Sequence, residues 1–434
     1  MYLTNRFYIV LTVIILTIGL GYVLEPLFMA GKVLLLLLAI IVVSEAGLLY
    51  YKSAMRATRV CPERFSNGDD NEMRLRVESD YPFPVTVDVV DEIPFAFQRR
   101  DISFRVRLHG IAGKTISYML HPVSRGVYGF GHIRLFVSSI IGFVERRYTL
   151  GKPVDVKVYP SYLMLNKYEL LAADNNLKEV GIKRIRRAGN HTEFEQIKDY
   201  VRGDEYRSIN WKASARSGKL MVNVYRDERS QPIYNLIDKG RVMQHAFGGM
   251  TLLDYAINAS LVLSYIAMHR EDKAGLLTFV GEADTFIPAS RHPGHIQNLL
   301  ESLYSQKTTF GETDFSALCV SVNRHISKRS LLILYTNFAG MTAMQRQLPY
   351  LKQLNSHHRL LVVFFEDAEL KDYISSAPTS TEDYYRHVIA EKFSTEKRLI
   401  VSTLKQHGIL SLLTTPANLS INVINKYIEI KSKQ

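Results

Sequence analysis

Two cysteines in 434 residues, Cys61 and Cys319, provide neither a disulfide framework nor a CxxC metal pair, and they fit a reducing compartment. Cys319 follows Ala317 and Leu318 in a helical pattern and reads as a small core residue. Signatures of common catalysts are also missing. There is no GxxxxGK[ST] phosphate loop, no HExxH, no GxSxG elbow and no GxGxxG after a strand. His357-His358 lacks a third ligand at sensible spacing and reads as an exposed turn. No Lys/Arg-rich tail stands out as a nucleic-acid arm, although the formal net charge is +12. Beside apolar spans, such a balance first means cations held on the cytoplasmic side of a membrane. Hydrophobic content of 47% and charged content of 22% are ordinary for folded protein, so the chain is long enough for two sizeable cores.

What is present begins with two apolar runs, 7–24 and 27–51, separated by Glu25-Pro26. A spanning helix needs about 20 apolar residues, so residues 1–52 are expected to form a transmembrane hairpin. Arg6 precedes it, and Lys52, Arg56 and Arg59 follow it, which puts both ends in the cytoplasm. Lys32 and Glu45 lie inside the second run, near its two ends, and are expected to snorkel.

Over 53–165 the period falls to two: Met73 to Val77, Val85 to Val89 and Phe104 to Leu108 alternate apolar with polar between turn signals. That predicts an antiparallel, sandwich-like all-β domain, with Arg125 to Gly131 as a glycine-punctuated bend. Over 231–434, short apolar runs alternate with 3.6-residue patterns, which predicts a doubly wound α/β domain with a mainly parallel sheet. Ligands of such sheets sit at the carboxyl ends of the strands, here Asp238 to Arg241, Thr313-Asp314 and Thr336-Asn337.

Between these domains, 166–230 holds a basic run, Lys183 to Arg187, then a stretch dense in charges and aromatics, His191 to Arg229. Arg207 suits bidentate pairing with Glu195, Asp199 or Asp204, while Trp211 can bury a large area against the α/β domain. The ordered run Tyr200, Gly203-Asp204, Arg207, Ile209, Trp211, Ser214-Ala215-Arg216 resembles the signature of the family called domain of unknown function 58. In that family it follows an acidic-aromatic helix, and Asn210 stands where Asp is usual. The layout is similar too: paired membrane helices, a strand-rich domain, the signature, then a von Willebrand factor A-like domain. The A-type resemblance implies a cation site of the form Asp-x-Ser-x-Ser plus a distant Thr and Asp. Here Asp238 is followed by Gly240 and Val242 in place of the serines, and Asn337 replaces the second Asp. Asp238, Thr313 and Asn337 thus remain as a degenerate set for weakly held Mg²⁺, and no other cofactor is expected. Asp238 can instead cap a helix or pair with Lys239 or Arg241.

The resemblance implies a non-enzymatic interaction or scaffold protein of the inner membrane, its soluble domains cytoplasmic. Its partners would be a MoxR-type AAA+ ATPase and other A-type proteins, in protein maturation or envelope stress, with no role for nucleic acid. Glu195, Asp199, Tyr200, Gly203, Asp204, Arg207, Trp211, Ser214 and Arg216 are the expected interaction residues. Two rival readings are a hydrolase or transferase using the signature's carboxylates, and a cation-dependent adhesion module outside the cell.

Overall fold

The structure is a computed structural model; it describes the chain apart from residues 23, 52–54, 98–102, 164–193, 202–203, 205, 207–208, 226–229, 377, 379 and 434. The basic run Lys183 to Arg187 lies outside the described residues. Two compact units are formed, Met1–Tyr159 and Pro160–Gln434.

The first unit opens with β1 (Tyr2–Leu3), α1 (Asn5–Leu20) and α2 (Glu25–Tyr50). Pro26 sits in the first turn of α2, where a missing N–H costs nothing, so it starts the helix two residues earlier than the apolar run suggests. By length and composition α2 could cross a bilayer, with 26 residues and a rise of about 39 Å. At 16 residues α1 falls short of the roughly 20 a span requires. Glu45 corrects the snorkelling expectation. It is 1% exposed, and its carboxylate accepts bonds from Ser139 Oγ, Gly142 N and Phe143 N. Leu49, one turn on, is fully buried in the core of the β domain.

That domain is built from β2 (Met55–Val60), β3 (Arg64–Ser66), β4 (Asn71–Ser79), β5 (Val85–Asp91), β6 (Ser103–Leu108), β7 (Ala112–Leu120), β8 (Gly126–Phe130), β9 (Ile133–Ser138), β10 (Val144–Leu150) and β11 (Val154–Tyr159). They form sheets ordered β1-β10-β9-β5-β6, β2-β4-β7 and β3-β11-β8. Alternation places Met73, Leu75 and Val77 of β4 and Val85, Val87 and Val89 of β5 in one core. Among the described residues the expected antiparallel pattern has one exception, since β11 pairs with β3 in parallel. The expected bend at Arg125 to Gly131 is largely strand β8; Gly126, at φ +148°, makes the turn into it.

The second unit begins with β12 (Phe194–Asp199), α3 (Trp211–Ser217) and β13 (Met221–Tyr225). Its sheet comprises β14 (Pro232–Asp238), β17 (Lys273–Phe279), β18 (Ala283–Ser290), β19 (Leu331–Tyr335), β20 (Arg359–Phe365) and β21 (Leu410–Thr414), after a short hairpin, β15 (Ala246–Phe247) and β16 (Met250–Thr251). The order is β18-β17-β14-β19-β20-β21, all parallel except the edge strand β18. The helices are α4 (Leu252–His269), α5 (His295–Tyr304), α6 (Phe315–His325), α7 (Met341–His357), α8 (Ala368–Ser375), α9 (Thr381–Gln406) and α10 (Leu419–Ser432). Helices α6, α7 and α9 share one apolar core with the sheet. Strand order reverses between β14 and β19, so the crevice at their carboxyl ends is the switch point where α/β sheets hold ligands. His358 departs from expectation: it is buried, its Nδ1 accepts from Ser330 N, and burial lowers its pKa.

Candidate functional site

The signature stretch folds as a hairpin with a helical insert. Residues 194–199, where the family resemblance implies a helix, form β12, because they pair antiparallel with β13 from Phe194↔Tyr225 to Asp199↔Met221, with a shift of register between Phe194 and Gln196. Asn210 caps α3 by accepting from Ala213 N, and its Nδ2 donates to Asn223 Oδ1, a bond that an Asp could not make. Ser214 Oγ donates to Asn210 O and accepts from Met221 N at 2.8 Å each. Gly218, at φ +69°, closes the helix with its N–H on Ser214 O. Asp204 accepts from Val201 N and Lys198 Nζ, in that order of effect, which holds its carboxyl below the usual range. The Tyr200 ring lies 5.9 Å from that of Tyr206.

These bonds fasten the segment to itself. Trp211 is 70% exposed, so it does not anchor the segment on the α/β sheet. A tryptophan at the first position of a short capped helix points outward unless another element covers it. Asp199 and Arg216 are exposed as well. Gly203, Arg207 and the side chain of Glu195 lie outside the described residues.

At the switch point, Asp238 is fully buried. Its Oδ1 accepts from Thr313 Oγ1 (2.8 Å) and Gly240 N (2.8 Å), and its Oδ2 from Thr336 Oγ1 (2.6 Å). Burial raises its pKa against the opposing pull of these donors. Asp238 and Thr313 therefore do meet, but Asn337 does not join them. Its neighbour Thr336 takes the inward position, and Asn337 Oδ1 accepts from Lys397 Nζ at 2.6 Å. The donor set does not suit a divalent ion. One carboxylate already holds three donors, Asn337 is held by a cation, and a Cβ on Gly240 would overlap the Thr313 hydroxyl. Nor does Asp238 pair with its neighbours: Lys239 Nζ reaches Asp284, and Arg241 reaches Glu312.

Beside Asp238, above the ends of β19 and β20, lies a cleft of about 390 Å³ lined by Phe338, Phe365, Leu370, Phe393 and Lys397, among others. Lys397 Nζ donates to Asn337 Oδ1 and Phe338 O at 2.6 Å each and lies 5.9 Å from the centre of the Phe364 ring. Burial pushes its pKa down to about 8, against a smaller upward pull from Asp367. The cleft runs onto the outer face of α9, where Tyr385, Ile389 and Phe393 follow one another at helical spacing and are 67%, 54% and 48% exposed. Lys397 was absent from the sequence-derived candidates. The available signal was its place on the stripe Lys397, Ile400, Leu404, whose other two members are fully buried. A charge on a core-facing stripe is costly and marks a site worth inspecting.

Among known proteins, the family described as "Protein of unknown function DUF58" matches residues 196–372. An uncharacterised protein, YeaD, of Bacillus subtilis (strain 168) is 24% identical over 245 residues, covering 54% of this chain and 58% of that protein. Among solved structures, the conserved hypothetical protein BatB of Bacteroides thetaiotaomicron is 14% identical and covers 47% of this chain, with a TM-score of 0.32. The CARDB domain of the PF1109 protein of Pyrococcus furiosus is 16% identical and covers 25% of this chain, with a TM-score of 0.19.

Proposed function

We propose that this chain is a membrane-tethered interaction protein whose α/β unit docks an acidic, apolar element of a protein partner at the cleft around Lys397. One observation carries the reading: a half-buried ammonium stands among aromatic side chains at the switch point, and among the described residues its hydrogen-bond partners are neutral oxygens. Such a group costs stability, and a partner carboxylate would neutralise it. The exposed stripe on α9 extends the same surface. The antiparallel edge strand on an otherwise parallel six-stranded sheet supports the von Willebrand factor A-like assignment. Within the resemblance described above, the partner is a MoxR-type AAA+ ATPase or another A-type protein.

The anchor is a helical hairpin of the inner membrane, with α2 as its full-length span and the folded units on the cytoplasmic side, where Arg6, Arg56 and Arg59 lie. A cleaved leader would not be wired into the domain as α2 is through Glu45 and Leu49. A non-enzymatic role is supported by Asp204, whose ties to Val201 and Lys198 keep it ionised and occupied, ill suited to proton transfer.

The test is capture of a MoxR-type ATPase by the detergent-solubilised full chain, with and without ATP. Association is expected to fall with Lys397→Glu and with Phe393→Ser, and to survive Trp211→Ala. Absence of association, or indifference to both cleft substitutions, refutes the proposal.

A further inference from the structure

The five-stranded sheet of the first unit has a polar outer face that ends beside the helices. Register lines up Arg107, Thr86, Ser138, Glu145 and Tyr2 in one row across β6, β5, β9, β10 and β1. Next to it, Arg105 forks onto Asp88 at 2.7 and 2.8 Å. Arg107 therefore faces the neutral Thr86, while its diagonal carboxylate is already taken. Arg107 and His109 are exposed. With Arg6 and the β9–β10 loop they border a cleft of about 730 Å³. The other carboxylate there, Glu145, has its pKa raised, first by burial and then by Asp88.

The β9–β10 loop fixes the height of this cleft. Its Ser139, Gly142 and Phe143 bind Glu45 of α2, while Thr4 donates to Gly142 O and Phe143 O just before α1. Glu25 and Glu45 are twenty residues apart, about 30 Å of helix, which equals the thickness of a hydrocarbon core. The loop thus lies near the end of α2 that enters the β domain. At its tip, Ile140 and Ile141 are 71% and 48% exposed.

We propose that this cleft binds the phosphate headgroup of an anionic phospholipid, with Arg107 and His109 on the phosphate and Ile140 and Ile141 among the acyl chains. The assignment rests on the reading of α2 as a membrane anchor. Bidentate arginine suits phosphate oxygens, and aliphatic side chains at the acyl boundary add apolar burial. The sheet face recognises charge, and the loop brings it to the bilayer surface.

The experiment uses the full chain in vesicles of phosphatidylcholine and phosphatidylglycerol in equal parts. Alkaline carbonate extraction first reports anchoring. Native mass spectrometry after mild solubilisation then reports which lipid stays bound. Phosphatidylglycerol should be retained several-fold over phosphatidylcholine, and Arg107→Ala with His109→Ala should cut that preference about fivefold or more. Arg107→Lys should recover part of it, which separates lost charge from lost fold. Ile140→Ser with Ile141→Ser should weaken retention of both lipids. Extraction of the native chain by carbonate overturns the anchor and this site together. Anchoring without preference for the anionic lipid, or displacement of that lipid by inorganic phosphate alone, overturns the headgroup site and leaves the anchor standing.

Discussion

Replacing Lys397 by Met is expected to stabilise the α/β unit at neutral pH while abolishing partner capture. The Lys397 ammonium has its pKa lowered from 10.5 to about 8 by burial. Each unit corresponds to about 1.4 kcal/mol, so holding the charge in the folded state costs about 3 kcal/mol at pH 7. Between these two pKa values the unfolded chain binds more protons than the folded one, so stability rises with pH across that window. The penalty is full below pH 8 and gone above pH 10.5. Methionine removes it but leaves Asn337 Oδ1 and Phe338 O without their donor, at about 1 kcal/mol each once rehydrated through the cleft. The net gain is about 1 kcal/mol at pH 7, or a rise in Tm of about 2 °C. At high pH the difference should reverse, because only the lost hydrogen bonds remain. Thermal unfolding of the full chain at pH 7 and pH 10 measures this. Peptide-resolved acylation of Lys397 should show a midpoint near pH 8. A midpoint shared with the exposed lysines, or a Met variant less stable than the parent at pH 7, refutes the reasoning.

Four further substitutions follow from the same geometry. Asp272, 1% exposed, accepts from Gln231 N, Tyr427 Oη and Lys431 Nζ; Asp272→Ala should cost about 3–5 kcal/mol, read as a large fall in Tm. Glu45→Leu strips the acceptor from three donors of the β9–β10 loop at about 1–3 kcal/mol for each buried one, so limited proteolysis should newly cut at 139–143. Trp211→Ala should shift stability by no more than about 0.5 kcal/mol, as for other exposed positions; a loss of several kcal/mol would restore its role as an anchor. Gly240→Ser should lower Tm by crowding Thr313, and neither Mg²⁺ nor Mn²⁺ should raise the Tm of the parent chain.

The sequence by itself determined what depends on local pattern. Alternation in β4 and β5 defined which faces are buried, and continuous apolar runs marked β14, β19 and β20 as strands covered on both sides. The apolar run at α2 needs no tertiary information to be recognised. The carboxyl edge was legible as well: edge placement together with the A-type resemblance pointed to Asp238 and Thr313, and they meet. Tertiary structure decided what depends on distant neighbours. Residues 194–199 are charged and short, so only the partner strand β13 makes them β rather than helix. Trp211 looked like an anchor because large aromatics usually bury, yet nothing in its own sequence says whether another element covers it. Glu45 resembled a snorkelling charge until a loop nearly a hundred residues away supplied three donors. Lys397 stands out as a candidate only once α9 packs against the ends of β19 and β20. Burial sets its protonation, and burial belongs to the assembled fold rather than to any segment of the chain.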